Sequence, residues 1–465
     1  MNKKLEEYKL YIKDKKVAVL GLGVSNKPLI KYLAALNVDI TAFDMAEEND
    51  LKSTLEELEQ LNINYHVGKN YLQYLKGFDV IFKTPKVRYD IPELINERNR
   101  GAEITSEMEV FLKLCPAETF AVTGSDGKTT TTTLIYKMLV EAGYKCWLGG
   151  NIGTPLLDNI DEISPKDKVV LELSSFQLHT MSESPNTAIV TNLSPNHLDV
   201  HKDMDEYIDA KKNIFLYQSQ DDKLIINYDN AVTRNLADQA KGNCIFFSRL
   251  ETLEYGVFIK DGIVVFKDAK RLFNILKPEE ILLIGKHNLE NYMAAIAAVI
   301  DYVSIDDIRK VAKTFGGVEH RMELVRKHEG IAFYNDSMAS SPTRTIAGLK
   351  SFNQKVILIA GGYDKNIPYD EMGSVLAEKV KLLVLIGQTG PKIEEALKNY
   401  VVETGLGKDI QILKCGTMAL AVQTAYDNAV EGDAVVMSPA SASFDMFKDF
   451  AERGNMFKEA VNILK

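Results

Sequence analysis

The stretch FAVTGSDGKTTTTT, residues 120–133, carries the clearest chemistry in the chain. A phosphate cradle needs backbone N–H groups in a tight turn, a helix N-terminus behind them, a cation, and a hydroxyl for Mg2+. Gly124 and Gly127 supply the turn, with Ser125 and Asp126 between them. Lys128 supplies the charge, and Thr129 and Thr130 the hydroxyls. The usual spacing, G-x-x-x-x-G-K-[ST], would place the first glycine at position 122, where this chain has Val122. The flanking strand (TFAV) and helix (TLIYKMLVEAG) are in place, so the loop turns later rather than not at all.

Bound Mg2+ needs further oxygen ligands. Glu172 lies inside the apolar run VVLELSSFQL, where a carboxylate is costly unless paired or metal-bound. In TNLSPNHLDVH, His197, Asp199 and His201 fall just past a strand. Their H-x-D-x-H spacing allows a zinc reading, but alternating ligands on a loop carry little weight. A single histidine near Mg2+ and phosphate is preferred. The helical stretch EYIDAKKNIF offers Lys211 and Lys212, which by themselves read as a solvated basic turn. Near the N-terminus, VLGLGVSN is a shortened G-x-G-x-x-G, with Asn26 in place of the third glycine and Asp44 at about the ribose-binding position. It supports a nucleotide-like ligand without proving a dinucleotide.

These residues need a scaffold of alternating strands and helices. KVAVLGLG, DITAFD and FDVIFKTP read as strands, with NKPLIKYLAAL as a helix between the first two, which is half of a doubly wound sheet. A second unit begins near Thr105. It runs through the phosphate loop and the strands DKVVLELSSFQL and NTAIVTNLSPNHLDVH to a hairpin, EYGVFIKDGIVVFKD, with an Asp261-Gly262 turn. EEILLIGKHNLENYMAAIAAVI is expected to close it as strand, polar loop and helix. A third unit from near Gly317 carries IAFYNDS, KVILIAGG, KLLVLIG, IQILKCG and DAVVMSPASAS as strands. At 465 residues the chain suits three domains of about 150 residues each.

Composition narrows the class. Apolar residues make up 46% and charged residues 26%, as in globular proteins, and the net charge of −10 argues against a non-specific nucleic-acid binder. The four cysteines, Cys115, Cys146, Cys244 and Cys415, form no C-x-x-C pair, so neither a disulfide framework nor a zinc ribbon is expected. MNKKLEEYKLYIKDKK lacks the apolar core of a signal peptide, and no apolar run nears the roughly 18 residues of a membrane span. A cytoplasmic enzyme is expected.

Taken in order, TGSDGKTT, GGNIGTP, LELSSFQL, NLSPNHLD, GKHNLENYMAA, GVEHRME, YNDSMASSP and SPASASFDMFKDFAERGNMF resemble the Mur ligases, ATP-dependent amide ligases of peptidoglycan precursor synthesis. The motifs cover most of the chain. LELSSFQL and the final SASFDMFKDFAERGNMF are similar to the D-glutamate-adding branch, and the shortened phosphate loop is that family's usual form. The resemblance implies an α/β chain of three domains. These are a Rossmann-like N-terminal domain (1–106) for the UDP-substrate, a P-loop-type central ATPase (107–317), and a Rossmann-like C-terminal domain (318–465) for amino acid and nucleotide. It implies addition of D-glutamate to UDP-N-acetylmuramoyl-L-alanine through an acyl phosphate, with ATP and two Mg2+ ions, by a monomer. A folylpolyglutamate-synthase-like ligase is the alternative; its relatives start directly with the ATP domain, whereas this chain places GLGVSN ahead of it.

Site residues follow from the same resemblance. Lys128 would neutralise phosphates beside Gly124, Ser125, Asp126, Gly127, Thr129 and Thr130. Thr129 and Glu172 would hold one Mg2+, and His197 would reach a second. Lys211 would be a carbamylated lysine, supplying oxygen to the metal. Asn151 would contact ATP phosphates or substrate, and Asn291, Arg321 and Asp336 the nucleotide. Val24, Ser25, Asp44, Thr84, Lys86 and Ser174 would surround the UDP-substrate. Ser340, Lys365, Ser443 and Phe450, the last through its backbone, would receive D-glutamate. Two positions depart from the family pattern: Met338 replaces a lysine, and Lys86 stands where glycine usually follows Pro85.

Overall fold

The computed structural model describes residues 2–23, 25–198, 200–283 and 285–465. Three sheets carry the architecture. In the first, five parallel strands run in the order Asn64–Val67, Asp39–Asp44, Lys16–Leu20, Val80–Lys83, Glu103–Thr105. The central run KVAVL is buried at Val17–Leu20, as strands covered on both faces must be. Asn26 does not loosen the turn after it. Its side-chain amide donates to the carbonyls of Leu20 (3.0 Å) and Gly21 (2.9 Å), closing the strand onto the helix Asn26–Ala35.

The second sheet has nine strands. From one edge they are Leu272–Leu276, Ile263–Lys267, Gly256–Lys260, Asn243–Ser248, Lys223–Asn227, Thr187–Val190, Glu118–Thr123, Lys168–Glu172 and Cys146–Gly150. The first three join antiparallel, with the hairpin between Gly256–Lys260 and Ile263–Lys267 turning at Asp261-Gly262 as expected; the rest pair in parallel. Glu118–Thr123 lies between Thr187–Val190 and Lys168–Glu172. The carboxyl ends of three neighbouring strands therefore meet at one edge, where α/β sheets place ligands. A continuous apolar core, including Leu29 and Leu33 of the first layer and Leu157 and Ile160 of the second, joins the two sheets.

The third sheet orders Glu323–His328, Ile331–Asn335, Ala434–Met437, Val356–Ala360, Val380–Leu385 and Gln411–Lys414, with only the first antiparallel. By compactness the chain divides into one unit of residues 1–281 with 286–313, and another of 282–285 with 314–465.

One expected strand is absent among the described residues. In EEILLIG a 3-10 turn covers Pro278–Glu280, and Ile281, Leu282 and Leu283 are half-buried without a sheet partner. The chain passes between its two compact units here, and Leu283 lies beside Gly317 in the second. A short apolar run fixes neither strand nor helix by its pattern; here it serves as a packed connector. Among the described residues no helix is long and apolar enough to cross a membrane.

Candidate phosphate-binding site

The loop after Glu118–Thr123 is built around two glycines with positive φ, Gly124 (147°) and Gly127 (78°). A Cβ on Gly127 would collide with the Asn291 carboxamide, and one on Gly124 with the Thr191 hydroxyl. The backbone is thus fixed by its neighbours as well as by torsion. Gly127 caps the helix Lys128–Glu141, whose first-turn N–H groups open toward the loop. Asn291, from the helix Lys286–Val299, accepts from the Thr131 hydroxyl (3.3 Å) and donates to Asn288 (3.2 Å).

The other side of the loop is held by Thr191 and Asn192, just past the strand Thr187–Val190. Thr191 Oγ1 donates to the Asp126 carbonyl at 2.6 Å, and Asn192 Oδ1 accepts from the Asp126 N–H at 2.9 Å. Ser125 is buried, its hydroxyl donating to the Ser194 carbonyl (2.9 Å) and lying 3.0 Å from the Tyr207 hydroxyl. Lys128 Nζ donates to the carbonyls of Gly124 (3.0 Å) and Ser125 (2.9 Å).

Lys211 reaches the same loop from the helix Met204–Leu216. It is 2% exposed and donates to Thr123 Oγ1 (3.0 Å) and the Gly124 carbonyl (2.9 Å). Burial, reinforced by the nearby Lys128 charge, holds its ammonium well below the usual lysine range; Glu172 partly opposes this. Lys212 turns away to pair with Asp209 at 2.7 Å.

Glu172 is buried at the end of its strand. Its Oε1 accepts from the Asn151 side-chain amide at 2.7 Å, while its Oε2 is buried without a hydrogen-bond partner. A buried carboxylate oxygen with no donor is costly. Hydroxyls, carbonyls and an unsatisfied carboxylate are the donor set of a hard divalent cation, so these residues fit Mg2+. His197, in a left-handed conformation (φ 55°), is exposed; its ring stands edge-on to Phe176. It is not drawn into the buried part of the site.

The remaining expected positions group by sheet. In the first, both Asp44 oxygens accept backbone N–H groups, from Leu22 at 2.7 Å and from Ala46 at 2.9 Å. Ser25 precedes the helix Asn26–Ala35, and the Thr84 side chain packs against Gly21. Val24 and Asp199 lie outside the described residues. Lys86 is exposed and lines a cleft of about 190 Å³ with Lys83, Arg88, Phe176, His179 and His201. Ser174 caps the short helix Ser175–Leu178 in a reciprocal capping box with Gln177.

In the second unit, Asp336 is buried, accepts from Ser438 Oγ (2.7 Å) and Met322 N–H (3.2 Å), and is pushed up to about 6 by burial. Arg321 is exposed near it, and its charge acts in the opposite direction. Ser340 is half-buried, Lys365 exposed and Ser443 buried. Phe450 opens the last helix, Phe450–Asn462, and its carbonyl accepts from Ser337 Oγ at 2.7 Å.

The sequence reading missed three supports. Thr191 and Asn192 brace the loop from a strand end, whose polar residues after an apolar run were their one signal. Tyr207 sits one turn before Lys211 on the same helix face. Arg453 is fully buried and clips Ser337 to the segment before Ser443: its guanidinium donates to Ser337 Oγ (3.0 Å), Ser337 O (2.8 Å), Ser441 O (3.0 Å) and Ala442 O (3.0 Å). No spacing rule marks such a residue.

Comparison with known proteins places these parts. Residues 15–106 match the Mur ligase MurD-like N-terminal domain, 122–299 the Mur ligase middle domain, and 320–441 the Mur ligase glutamate ligase domain. The chain is 63% identical over 465 residues, covering all of both chains, to a UDP-N-acetylmuramoylalanine--D-glutamate ligase of Acetivibrio thermocellus. It is 57% identical, with the same full coverage, to one of Ruminiclostridium cellulolyticum. Its fold is similar to the crystal structure of the UDP-N-acetylmuramate-alanine ligase of Thermotoga maritima, with a TM-score of 0.54, 20% identity, and coverage of 96% of this chain and 99% of that one.

Proposed function

The chain belongs to the Mur ligase family, and from that premise we infer its reaction: it is an ATP-dependent ligase that joins D-glutamate to UDP-N-acetylmuramoyl-L-alanine by an amide bond, a step of peptidoglycan precursor synthesis. The observation that carries this is identity above one half along the whole chain to ligases of that name. A folylpolyglutamate-synthase-like activity is not favoured. We further propose domains at 1–106, 107–317 and 318–465, a cytoplasmic monomer, and an acyl-phosphate route in which the acceptor carboxylate takes the γ-phosphoryl group before the amine of D-glutamate displaces phosphate.

In that route the loop N–H groups of Ser125–Thr130 cradle the phosphates, and Lys128 exchanges its two loop carbonyls for phosphate oxygens as charge develops. Thr129, Thr130 and the helix dipole reinforce the anion site. Thr129 and Glu172 would hold one Mg2+, and His197 with a carbamylated Lys211 a second. Bound there, the ions neutralise phosphate charge. Asn151 fixes the Glu172 carboxylate and would also touch phosphate or substrate. Asn291, Arg321 and Asp336 would bind the nucleotide. Ser25, Asp44, Thr84, Lys86 and Ser174 would bind the UDP-substrate, as would Val24. Ser340, Lys365, Ser443 and the Phe450 backbone would bind D-glutamate.

The test is product formation with ATP, Mg2+, UDP-N-acetylmuramoyl-L-alanine and a panel of amino acids. ADP and phosphate should appear stoichiometrically with amide product only when acceptor and D-glutamate are both present. Equal turnover with L-glutamate, or with a folate acceptor, would overturn the assignment.

A further inference from the structure

We propose that His179, His201 and Glu206 form a binding site for one borderline divalent metal ion of the Zn2+ class, separate from the phosphate-loop site. One potential ligand atom from each lies within 4.8 Å of the other two. His179 follows the short helix Ser175–Leu178, His201 lies in the loop between Thr187–Val190 and Met204–Leu216, and Glu206 lies in the first turn of Met204–Leu216. Two imidazoles, both lining the cleft that holds Lys86, and a carboxylate make a three-ligand set suited to such an ion.

His201 carries the argument. It is 2% exposed, and its Nδ1 makes no hydrogen bond although it faces Glu206 Oε2 at 3.4 Å. Its Nε2 lies 2.9 Å from the Ser175 hydroxyl. With that nitrogen as donor, the neutral ring presents a bare Nδ1 lone pair toward the carboxylate, the arrangement an outer-shell partner imposes on a metal-binding histidine. Stacking on Phe176, with an interplanar angle of 3°, fixes the ring plane. His179 Nε2 stands 3.6 Å from Glu206 Oε1. Burial lowers both imidazoles below the usual histidine range, which favours the neutral form a metal requires.

The positive charge nearby does not block the site. Arg88 donates to Glu206 Oε1 at 2.9 Å, but Asp90 already grips the same guanidinium through two bonds of 2.9 Å. An ion would displace one of three charge-assisted bonds and leave Arg88 paired. Lys202 offers its N–H to Glu206 Oε2 while its ammonium lies 3.5 Å from Asp90, and Lys83 is held down to about 8 by burial. His201 left the H-x-D-x-H pattern that suggested zinc in the sequence: its partners come from an upstream helix end and a downstream helix start.

The test is titration of metal-stripped full-length enzyme with Co2+ as a spectroscopic probe, followed by displacement with Zn2+. One equivalent should give the visible absorption of a low-coordinate nitrogen–oxygen centre without a thiolate charge-transfer band. His179→Ala and Glu206→Gln should weaken binding at least ~10-fold, and Ser175→Ala about 10-fold through the lost tautomer control. In the wild type, Zn2+ should shift two of the seven isotope-labelled histidine rings, one at Nδ1 and one at Nε2. This readout stands even where a variant fails to fold. Binding retained in both ligand variants, binding lost in Glu172→Gln, a thiolate band, or no histidine shift would each overturn the site.

Discussion

Lys211 and Lys128 differ in what surrounds them. Lys128 is half-buried at a helix N-terminus and bonds to carbonyls that a phosphate can replace. Lys128→Ala should lower kcat at least ~10²-fold, measured by steady-state ADP release, with the fold retained by circular dichroism. Burial and the nearby Lys128 charge favour the neutral amine of Lys211, the form that would react with CO2. A carbamate there would turn a repelling cation into an oxygen ligand. Lys211→Ala should therefore be nearly inactive and partly rescued by acetate or another short carboxylate. Lys212→Ala should keep most activity, since its pairing with a largely exposed Asp209 is worth about 0.5 kcal/mol or less. Full activity in Lys211→Ala would remove the carbamate reading.

At the scale of elements, two clips hold loops that their own sequences leave free. The loop Gly124–Gly127 is gripped by the strand end at Thr191–Asn192 and by the helix carrying Asn291. The segment before Ser443 is gripped by Arg453 from the last helix. Burial lowers the Arg453 guanidinium to about 10, yet it remains charged at neutral pH, satisfied by three carbonyls and a hydroxyl. Arg453→Met fills a similar volume but leaves those carbonyls unpaired, a loss of about 3 kcal/mol or more. We expect KM for D-glutamate to rise at least ~10-fold while KM for UDP-N-acetylmuramoyl-L-alanine changes little. Equal effects on both would place Arg453 in general stability rather than in shaping the glutamate end.

At the scale of the whole molecule, Glu107 is a built-in pH dependence. It is buried at the start of the helix Glu107–Leu114, accepts from the Leu157 N–H at 3.1 Å, and is pushed up to about 7 by burial. A carboxyl whose folded value is raised stabilises fully below its unfolded value near 4.5 and loses that contribution as pH rises through 7. The wild type should therefore lose on the order of 3 kcal/mol relative to Glu107→Gln between pH 5 and pH 9. Urea denaturation of the full chain, followed by a probe in residues 1–313, checks this; parallel curves for the two proteins would contradict it.

Much of the site was legible because it is local. Gly124, Gly127 and Lys128 point to a phosphate loop through strand–turn–helix context alone, and Glu172 stands out as a charge inside an apolar strand. The strand order that sets Glu172, Thr123 and Thr191 side by side is not local, since parallel pairing joins segments some fifty to seventy residues apart. The resemblance distinguished Lys211 from Lys212, but only the helix packing shows one buried and the other paired outward. The H-x-D-x-H spacing pointed to ligands within one loop, whereas tertiary structure gave His201 to His179 and Glu206 and left His197 exposed. Apolar Ile281–Leu283 looked like a strand because burial was legible and partner was not. Sequence fixes what a residue can do and which local turn it favours. Which distant backbone satisfies its hydrogen bonds, and whether its charge stays in water, follows from packing that no short window contains.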